Sequence, residues 1–469
     1  MTGPRVAVIG GGISGLAAAH RLRTLAGSDC MIEVFEASER LGGKLRTVSL
    51  AGVPVDVGAE AFLVRRPEVP DLLAELGLAG DIMHPSGRAS SLRVDGALHP
   101  IPKGTLMGVP ADPAALTGIL GDAAFEAERL DSVPLRWDGA RDTTVGGLVA
   151  ARFGPEVVRR CVDPLLGGVY SGSADSIGLR TALPVLAEAL DAGARTLRDA
   201  VVTALPAPVP GPVFGALSGG YGRLVDALAE AGRARIHMRA EASRIRPRGP
   251  GWEVEVRGPE GGAETGTGGA YRAEESEAGP YGAAEFDARL FDAVILALPA
   301  PQTAELLRGV APAGAEQASR IDLADSAVVA LAVPRSARLP DKSGVLVATG
   351  ERGVSAKACT LTSRKWPHLD PDHTGCGVQV LRLSYGRYGD AAVVGESDAE
   401  LTARARADLR ALLDVDTEPV DAHVQRWRGG LPQYGPGHGD LVAAVEAAVA
   451  DVPGLAIAGS AWHGVGVPA

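Results

Sequence analysis

Glycines at a fixed spacing near the start of the chain form a pattern that can bind a diphosphate. Gly10, Gly12 and Gly15 fit the spacing GxGxxG, between a β-branched apolar run and an Ala- and Leu-rich segment. In that setting the first glycine permits a tight turn, the second admits a phosphate to the backbone, and the third lets helix and strand pack closely. The free N–H groups at a helix N-terminus then favour a bound anion.

An acidic residue follows at the distance that a ribose contact requires. Glu36 ends the next apolar run, about 20 residues after the last glycine of the turn. A carboxylate there accepts hydrogen bonds from ribose hydroxyls and repels a 2′-phosphate, which disfavours NADP. The pattern therefore predicts an adenine dinucleotide, although a plain strand-to-helix turn has the same glycines. At this point both NAD and FAD remain open.

The elements that must position these residues are a strand, a helix and a second strand. Apolar residues at 5–9 and 31–35 predict buried strands, and residues 16–25 predict a helix between them. This βαβ opening predicts an α/β fold with a Rossmann-type domain built on a parallel sheet.

Composition excludes several other classes of protein. The chain has 469 residues and a net charge of −11, and no dense basic run is present, which argues against nucleic acid. Apolar residues make up 46% and charged residues 22%, as in a folded globular protein of more than one domain. The four cysteines form no CxxC pair, so neither a disulfide framework nor a metal site is indicated. No apolar stretch has the ~18 residues of a transmembrane segment, and a cytoplasmic location is expected.

The rest of the chain alternates between helical and strand patterns. From 67 to 205 the periodicity is helical, and a helix is also expected at 398–412. Strands are expected at 236–245, 252–256, 290–298, 327–333, 378–384 and 455–458. The Gly- and Glu-rich segment 257–285 has almost no apolar residue and is expected to be a mobile surface insertion.

The segment EASERLGGKLRT at 36–47 decides between NAD and FAD. It resembles the ExxxRxGG[KR] signature of the flavoprotein superfamily that contains amine oxidases, phytoene desaturases and protoporphyrinogen oxidases. DVGAEAF at 56–62 is similar to the turn beside the isoalloxazine, and AIAGSAWHGVGVP at 456–468 is similar to the second FAD motif. The chain ends at Ala469, where that motif's closing helix is expected to begin, so we expect weakened FAD retention.

Four further segments narrow the resemblance. IPKGTLMGVP at 101–110, PLLGGVYSG at 164–172, SGGYGRL at 218–224 and LPQYGPGH at 431–438 resemble the soluble bacterial protoporphyrinogen/coproporphyrinogen III oxidase family. The resemblance spans nearly the whole chain and implies FAD as the cofactor. The residues that it places against FAD are Gly10, Gly12, Ile13, Ser14, Gly15, Glu36, Ala37, Arg40, Gly43, Lys44, Gly58, Ala59, Glu60, Ala242, Gly459, Trp462, Val465 and Val467.

The family implies a six-electron oxidation of coproporphyrinogen III to coproporphyrin III in haem biosynthesis. Three hydride transfers to flavin N5 are implied, with O2 reduced to H2O2, and no dedicated acid–base pair is required. Glu60 is the candidate for assisting proton loss, with a capping role in its turn as the alternative. Histidines 438 and 463 are expected to be structural.

The substrate's carboxylates call for positive charge close to the flavin. Arg65 and Arg66 follow the flavin-side turn, at positions that the resemblance places near the substrate, and Lys103 is a third candidate cation. Gly168 is the fourth predicted substrate contact. A solvated basic pair on a surface turn is the alternative for the two arginines.

Several alternatives stay open from the sequence. The substrate could instead be protoporphyrinogen IX, and a flavin amine oxidase or desaturase is a further alternative, with Lys342, Lys357 or Lys365 as the lysine near flavin N5. The third alternative is not an enzyme but a binding protein, which would bind porphyrin and transfer it to a ferrochelatase. The resemblance also implies transient contact with ferrochelatase and leaves peripheral membrane contact open.

The resemblance predicts three structural units. Residues 1–65, 215–300 and 425–469 form a discontinuous FAD-binding domain. Residues 66–105 and 301–424 form a mixed α+β substrate-binding domain, and residues 106–214 form a helical subdomain.

Overall fold

The computed structural model describes residues 3–207, 209–258 and 285–469. Its strands are β1 (Arg5–Ile9), β2 (Met31–Glu36), β3 (Thr47–Leu50), β4 (Val53–Asp56), β5 (Phe62–Leu63), β6 (Ile82–Met83), β7 (Ser90–Val94), β8 (Ala97–Pro100), β9 (Thr105–Leu106), β10 (Val109–Pro110), β11 (Phe214–Leu217), β12 (Arg235–Met238), β13 (Glu241–Arg248), β14 (Gly251–Gly258), β15 (Glu285–Phe291), β16 (Ala293–Leu296), β17 (Leu323–Pro334), β18 (Gly344–Val347), β19 (Ala358–Thr360), β20 (Val378–Tyr385), β21 (Asp421–Pro432) and β22 (Leu455–Ile457).

The α-helices of the same residues are α1 (Ile13–Ala26), α2 (Glu68–Glu75), α3 (Thr117–Leu120), α4 (Ala123–Asp131), α5 (Val145–Phe153), α6 (Pro155–Val157), α7 (Asp163–Tyr170), α8 (Leu179–Ala182), α9 (Pro184–Asp191), α10 (Leu197–Ala204), α11 (Gly222–Gly232), α12 (Ala300–Leu307), α13 (Pro312–Ala318), α14 (Thr362–Lys365), α15 (Pro371–Thr374), α16 (Asp398–Leu413) and α17 (His438–Ala450).

A five-stranded parallel sheet confirms the expected Rossmann-type core. Its strand order is β12-β2-β1-β16-β22, so β1 lies in the middle with β2 on one side and β16 on the other. Val8 is fully buried and pairs with Val34 of β2 and Ile295 of β16. Because the carboxyl ends of parallel strands meet at one edge, the glycine turn after β1 and the acidic residue ending β2 lie side by side.

A seven-stranded mixed sheet forms the second large layer, in the order β21-β17-β20-β19-β18-β7-β8. One face of β17 and β20 packs on α16, which starts with a capping box formed by Ser397 and Glu400. The opposite face packs on the β3–β4 hairpin through residues such as Val55 and Val380. The hairpin therefore connects the seven-stranded sheet to residues 57–63, the segment that follows β4.

A cluster of helices from α3 to α10 has an apolar core of its own. Its buried members include Val149, Phe153 and Leu166. At the start of helix α5 the Thr144 hydroxyl accepts a hydrogen bond from Gly147 N–H. The division into three domains stays a prediction.

The structure corrects several element boundaries. The region 67–205 is not helical throughout, because β6 to β10 lie within it and β7 and β8 join the seven-stranded sheet. The single strand expected at 236–245 is two strands in different sheets, because Arg239 between them has a positive φ of 54°. The strand expected at 290–298 is likewise divided between β15 and β16.

One predicted segment lies outside the residues that the structure describes, and some elements were not predicted. The insertion expected at 257–285 falls mostly on residues 259–284, outside the described residues. Helix α17 and strand β21 were missing from the prediction. None of the helices in the described residues has both the length and the apolar character needed to cross a bilayer.

Candidate active site

The turn between β1 and α1 has the geometry that its glycines predict. Gly10 has a φ of +109°, and a Cβ there would lie 2.4 Å from the carbonyl oxygen of Ala297. A Cβ on Gly15 would lie 1.9 Å from the carbonyl oxygen of Gly10, so the start of α1 lies directly on the turn. Gly12, the residue before α1, supplies no side-chain cap to the helix, and α1 has no acidic residue in its first turn. This N-terminus therefore fits a bound diphosphate.

Glu36 lies beside this turn and is held by two backbone groups. Its Oε2 accepts a hydrogen bond from Gly11 N–H at 2.8 Å, and its Oε1 accepts one from Ser38 N–H at 2.8 Å. Each carboxylate oxygen keeps a lone pair for a second donor. The carboxylate therefore has a fixed orientation that suits a ribose diol, and Ala37 continues the loop next to it.

Arg40 stabilises the loop that covers the turn. Its guanidinium donates to the carbonyl oxygens of Gly43 at 2.6 Å and Leu41 at 3.2 Å and lies 5.7 Å from the centre of the Trp427 ring. Gly43 lies so close to the turn that a Cβ on it would be 3.0 Å from Gly12 Cα. These bonds occupy much of the Arg40 guanidinium with backbone, so its predicted contact with the cofactor stays a prediction.

The second predicted FAD motif meets the first through a buried lysine. Lys44 Nζ donates to Ser460 Oγ at 3.1 Å, and burial lowers the pKa of Lys44 to about 8. Gly459 precedes this serine with a φ of +127°. Val467 packs against the cluster that contains Leu16 of α1. Residues more than 400 positions apart thus form one surface beside the glycine turn.

Two buried ring nitrogens near this junction have no hydrogen-bond partner among the described residues. They are Nε1 of Trp462 and Nε2 of His438. The His438 ring stacks on Tyr434 at 4.0 Å, and burial lowers its pKa to about 4, so it is neutral at pH 7. His463, in contrast, is an exposed residue that pairs with Glu446 at 2.6 Å. An unpaired N–H on Trp462 is a donor that a polar cofactor can use.

The remaining predicted cofactor contacts have less distinctive surroundings. A Cβ on Gly58 would lie 2.1 Å from the carbonyl oxygen of Lys44, so the flavin-side turn touches the first motif. Ala242 lies at an irregularity in the pairing of β13 with β14. Ile13 and Ala59 pack against the same apolar cluster as Val467. Ser14 and Val465 have no distinctive side-chain contact among the described residues.

Glu60 is the centre of a buried charge cluster that the sequence did not reveal. Its Oε1 accepts from Lys365 Nζ and from Trp366 Nε1 at 3.2 Å, and its Oε2 accepts from Arg382 Nη1 at 2.7 Å. Arg382 also donates to the carbonyl oxygen of Gly58 at 3.1 Å. Burial raises the pKa of Glu60, but Lys365 and Arg382 together outweigh it and hold the pKa at about 2. A carboxylate with this pKa is a weak base, and its observed contacts fix the turn; assistance in proton loss stays a prediction.

Asp56, at the end of β4, is a second buried carboxylate in the same region. Burial raises its pKa to about 6, although Thr47 Oγ1 donates to it at 2.5 Å and Tyr221 N–H at 3.0 Å. A cavity of about 20 Å³ between Asp56 and Glu60 is large enough for one water molecule. The cavity is also lined by His368, whose Nδ1 has no partner within the described part of the chain.

The predicted substrate contacts do not join this cluster. Arg65 donates to the carbonyl oxygen of Val209 at 2.7 Å, and Arg66 pairs with Glu68 at 2.9 Å on the surface. Lys103 is exposed. Gly168 lies on α7 with open space around its Cβ position. Among the described residues, no hydrogen bond or ion pair links these four residues to Glu60.

The chain matches a known protein family over nearly its whole length. The model of the family described as flavin containing amine oxidoreductase matches residues 13–468. The chain is 46% identical to the coproporphyrinogen III oxidase of Mycobacterium leprae, covering 100% of this chain and 96% of the relative. It is 28% identical to the coproporphyrinogen III oxidase of Bacillus subtilis, covering 99% of this chain and 94% of the relative.

Solved structures show the same architecture. A structure from Exiguobacterium sp. 255-15, provisionally assigned as a protoporphyrinogen oxidase, superposes with a TM-score of 0.82 at 27% identity, covering 100% of this chain and 96% of that one. Cyclohexylamine oxidase from Brevibacterium oxydans superposes with a TM-score of 0.64 at 17% identity, covering 99% of this chain and 95% of that one, and shares the fold.

Proposed function

The chain belongs to the flavin-containing amine oxidoreductase family, and we propose that it is an FAD-dependent oxidase that converts coproporphyrinogen III to coproporphyrin III. The observation that carries this proposal is the 46% identity, over the whole chain, to a protein named coproporphyrinogen III oxidase. The proposal is also supported by the way the structure joins the two ends of the chain around one dinucleotide-type turn.

The residues proposed to hold FAD divide by the part of the cofactor that they suit. The N-terminus of α1, from Gly12 onward, binds the diphosphate, because its N–H groups have no side-chain cap. Glu36 binds the ribose hydroxyls of the adenosine. Gly58 and Trp462, where the two FAD motifs meet, would hold the flavin end of the cofactor.

The redox chemistry comes from FAD when it is bound, as a two-electron acceptor in each of the three oxidation steps. The protein's own part is to hold the substrate and the turn 56–62 in fixed positions. Glu60 stays ionised at neutral pH and anchors that turn through Arg382 and Lys365. We propose that pyrrole N–H protons leave to solvent, since the carboxylate of Glu60 is already neutralised by two cations.

The substrate-binding residues Arg65, Arg66, Lys103 and Gly168 remain part of this proposal. The two arginines lie on an exposed segment after β5 and their present partners are a backbone carbonyl and a surface glutamate. Such contacts can be exchanged for substrate carboxylates at little cost. O2 as the electron acceptor, with H2O2 as its product, and a transient contact with ferrochelatase are proposed from the family alone.

The test measures how each of two porphyrinogens changes the flavin absorbance of the FAD-loaded protein. Under anaerobic conditions coproporphyrinogen III is expected to bleach the flavin absorbance, and admission of air is expected to restore it with coproporphyrin fluorescence and H2O2. The Gly10→Ala variant serves as a control without FAD. Flavin that is not bleached by either porphyrinogen would overturn the proposal.

Protoporphyrinogen IX is the second candidate substrate. The similarity to the provisionally assigned protoporphyrinogen oxidase from Exiguobacterium favours it. A higher kcat/KM for protoporphyrinogen IX than for coproporphyrinogen III in the same assay would establish this alternative.

An amine oxidase activity receives less support from the lysines. Lys365 is paired with Glu60, and Lys357 donates to the Ser171 hydroxyl and to the carbonyl oxygen of Gly386. Peroxide release with polyamines, and none with porphyrinogens, would favour that activity.

A further inference from the structure

Two cations that form no salt bridge within the described residues lie where the segment after β20 meets the C-terminal end of α7. They are Lys357, just before β19, and Arg387, two residues after β20. Lys357 Nζ donates to Ser171 Oγ at 2.6 Å and to the carbonyl oxygen of Gly386 at 2.8 Å, both of which are neutral acceptors. Within the described residues neither cation forms a salt bridge. This arrangement is unusual, because buried charges are normally paired.

Arg387 has a donor directed into the protein with nothing to receive it. Its Nη1 is buried and has no hydrogen-bond partner in the described part of the chain. The same atom lies 2.5 Å from the position that a Cβ on Gly167 would take, so the guanidinium packs directly on α7. Burial lowers the pKa of Arg387, and the nearby Asp163 offsets part of this effect. Asp163 itself accepts hydrogen bonds from Ala174 N–H at 2.7 Å and from Thr349 Oγ1 at 3.0 Å.

The pKa of Lys357 is lowered as well. Burial, and then the charge of Arg387, lowers the pKa of Lys357 to about 7. The cluster therefore has a positive charge that the protein only partly compensates. A carboxylate placed between the two groups would accept a hydrogen bond from each and relieve their repulsion.

The position of the cluster relates it to the candidate active site. Arg382 and Gly386 lie four residues apart on β20 and its extension, so their positions are separated by about 13 Å along the strand. Arg382 contacts the flavin-side turn through Glu60, and Lys357 contacts Gly386. That span is comparable to the distance from one edge of a tetrapyrrole ring to the carboxylate of a propionate arm on the opposite edge. Gly168, the residue that follows Gly167 on α7, is exposed and has open space around its Cβ position.

We propose that Lys357 and Arg387 form an anion subsite that binds one propionate carboxylate of the substrate. The proposal rests on the proposed function and adds to it two binding residues distinct from Arg65, Arg66 and Lys103. Ser171 positions the lysine: it ends α7 with a positive φ of 49° and is itself held by Tyr388 N–H, which donates to its carbonyl oxygen at 2.6 Å.

The experiment measures binding of coproporphyrin III, the four-propionate product, to FAD-loaded protein by quenching of porphyrin fluorescence. Lys357→Met and Arg387→Met are each expected to weaken binding by about 10- to 100-fold, the range for a lost charge-assisted hydrogen bond. Arg308→Met removes an exposed cation after α12 and is the matched control, with unchanged binding expected. KM for coproporphyrinogen III is expected to rise more than kcat falls.

Thermal unfolding without porphyrin separates binding from a structural role. Lys357→Met removes the hydrogen bonds to Ser171 and Gly386, and Arg387→Met leaves the charge of Asp163 less compensated, so both variants are expected to unfold at a modestly lower temperature while keeping their bound FAD. Wild-type affinity in both variants would overturn the subsite, and so would a lower unfolding temperature matched by loss of FAD. If the wild-type protein itself failed to bind coproporphyrin III, the proposed function and the subsite would both be overturned, a result distinct from the first two.

Discussion

The buried ion pairs of Glu60 provide the sharpest test of how the site is held together. Glu60→Gln keeps the size of the side chain and removes its charge. Lys365 and Arg382 then face an amide, although Arg382 keeps its bond to the carbonyl oxygen of Gly58. The side chains of Glu60, Lys365 and Arg382 are 13%, 24% and 9% exposed, so solvent compensates Lys365 more than Arg382.

The expected loss of stability in Glu60→Gln can be derived in two ways. Removing one partner of a buried ion pair costs about 3–5 kcal/mol. The pKa of Glu60 falls from 4.5 to about 2 on folding, which corresponds to about 3 kcal/mol at neutral pH. We expect Glu60→Gln to lower the free energy of unfolding by about 3 kcal/mol at pH 7.

The pH dependence has a definite sign. Because the pKa of Glu60 is lower in the folded state, its stabilisation is complete above the unfolded-state pKa of 4.5 and is lost as the pH falls toward 2. Glutamine does not titrate. The difference between wild type and variant is therefore expected to be largest at pH 7 and smaller by about 1 kcal/mol at pH 4.

Urea unfolding of the FAD-loaded protein measures this difference. Fluorescence of Trp366 reports on the cluster, because its Nε1 donates to Glu60. Glu68→Gln is the matched control, since Glu68 forms an exposed pair with Arg66, and no measurable change in the free energy of unfolding is expected. An equal effect of the two substitutions would refute the reasoning, as would a Glu60→Gln difference that stayed constant between pH 7 and pH 4.

Three other predictions follow from the same geometry. Gly10→Ala is expected to give protein with little bound FAD and a lower unfolding temperature, because its Cβ would meet the Ala297 carbonyl oxygen at 2.4 Å; normal flavin content after purification would contradict this. The pKa of Asp56 is raised from 3.8 to about 6 in the folded protein. The free energy of unfolding of the wild type is therefore expected to fall by up to about 3 kcal/mol, relative to Asp56→Asn, as the pH rises from 4 to 8. Parallel profiles of stability against pH for the two proteins would exclude the raised pKa. Arg66→Gln breaks only an exposed pair with Glu68 and is expected to change stability by less than about 0.5 kcal/mol while raising KM for coproporphyrinogen III; an unchanged KM would remove Arg66 from the proposed substrate site.

The sequence was informative wherever the relevant residues are close together along the chain. The turn at Gly10, helix α1, strand β2 and Glu36 all lie within the first 36 residues, and each has a local pattern of glycine, apolar or acidic residues. Strand breaks were harder to predict. Arg239 separates β12 from β13 through its positive φ. Arginine rarely adopts a positive φ, so the residue type at this position gives no sign of the break.

The sequence alone determined the fold class, the family and the cofactor, because these depend on short motifs and on residue order. The tertiary structure decided which charges meet. Lys365 and Arg382 are 305 and 322 residues from Glu60, and Lys357 is 186 residues from Ser171. Contacts over such separations depend on how the seven-stranded sheet packs on the β3–β4 hairpin and on α7. No local pattern of residues encodes that packing, so the ion pairs of Glu60 and the unpaired cations beside α7 became visible only in the folded chain.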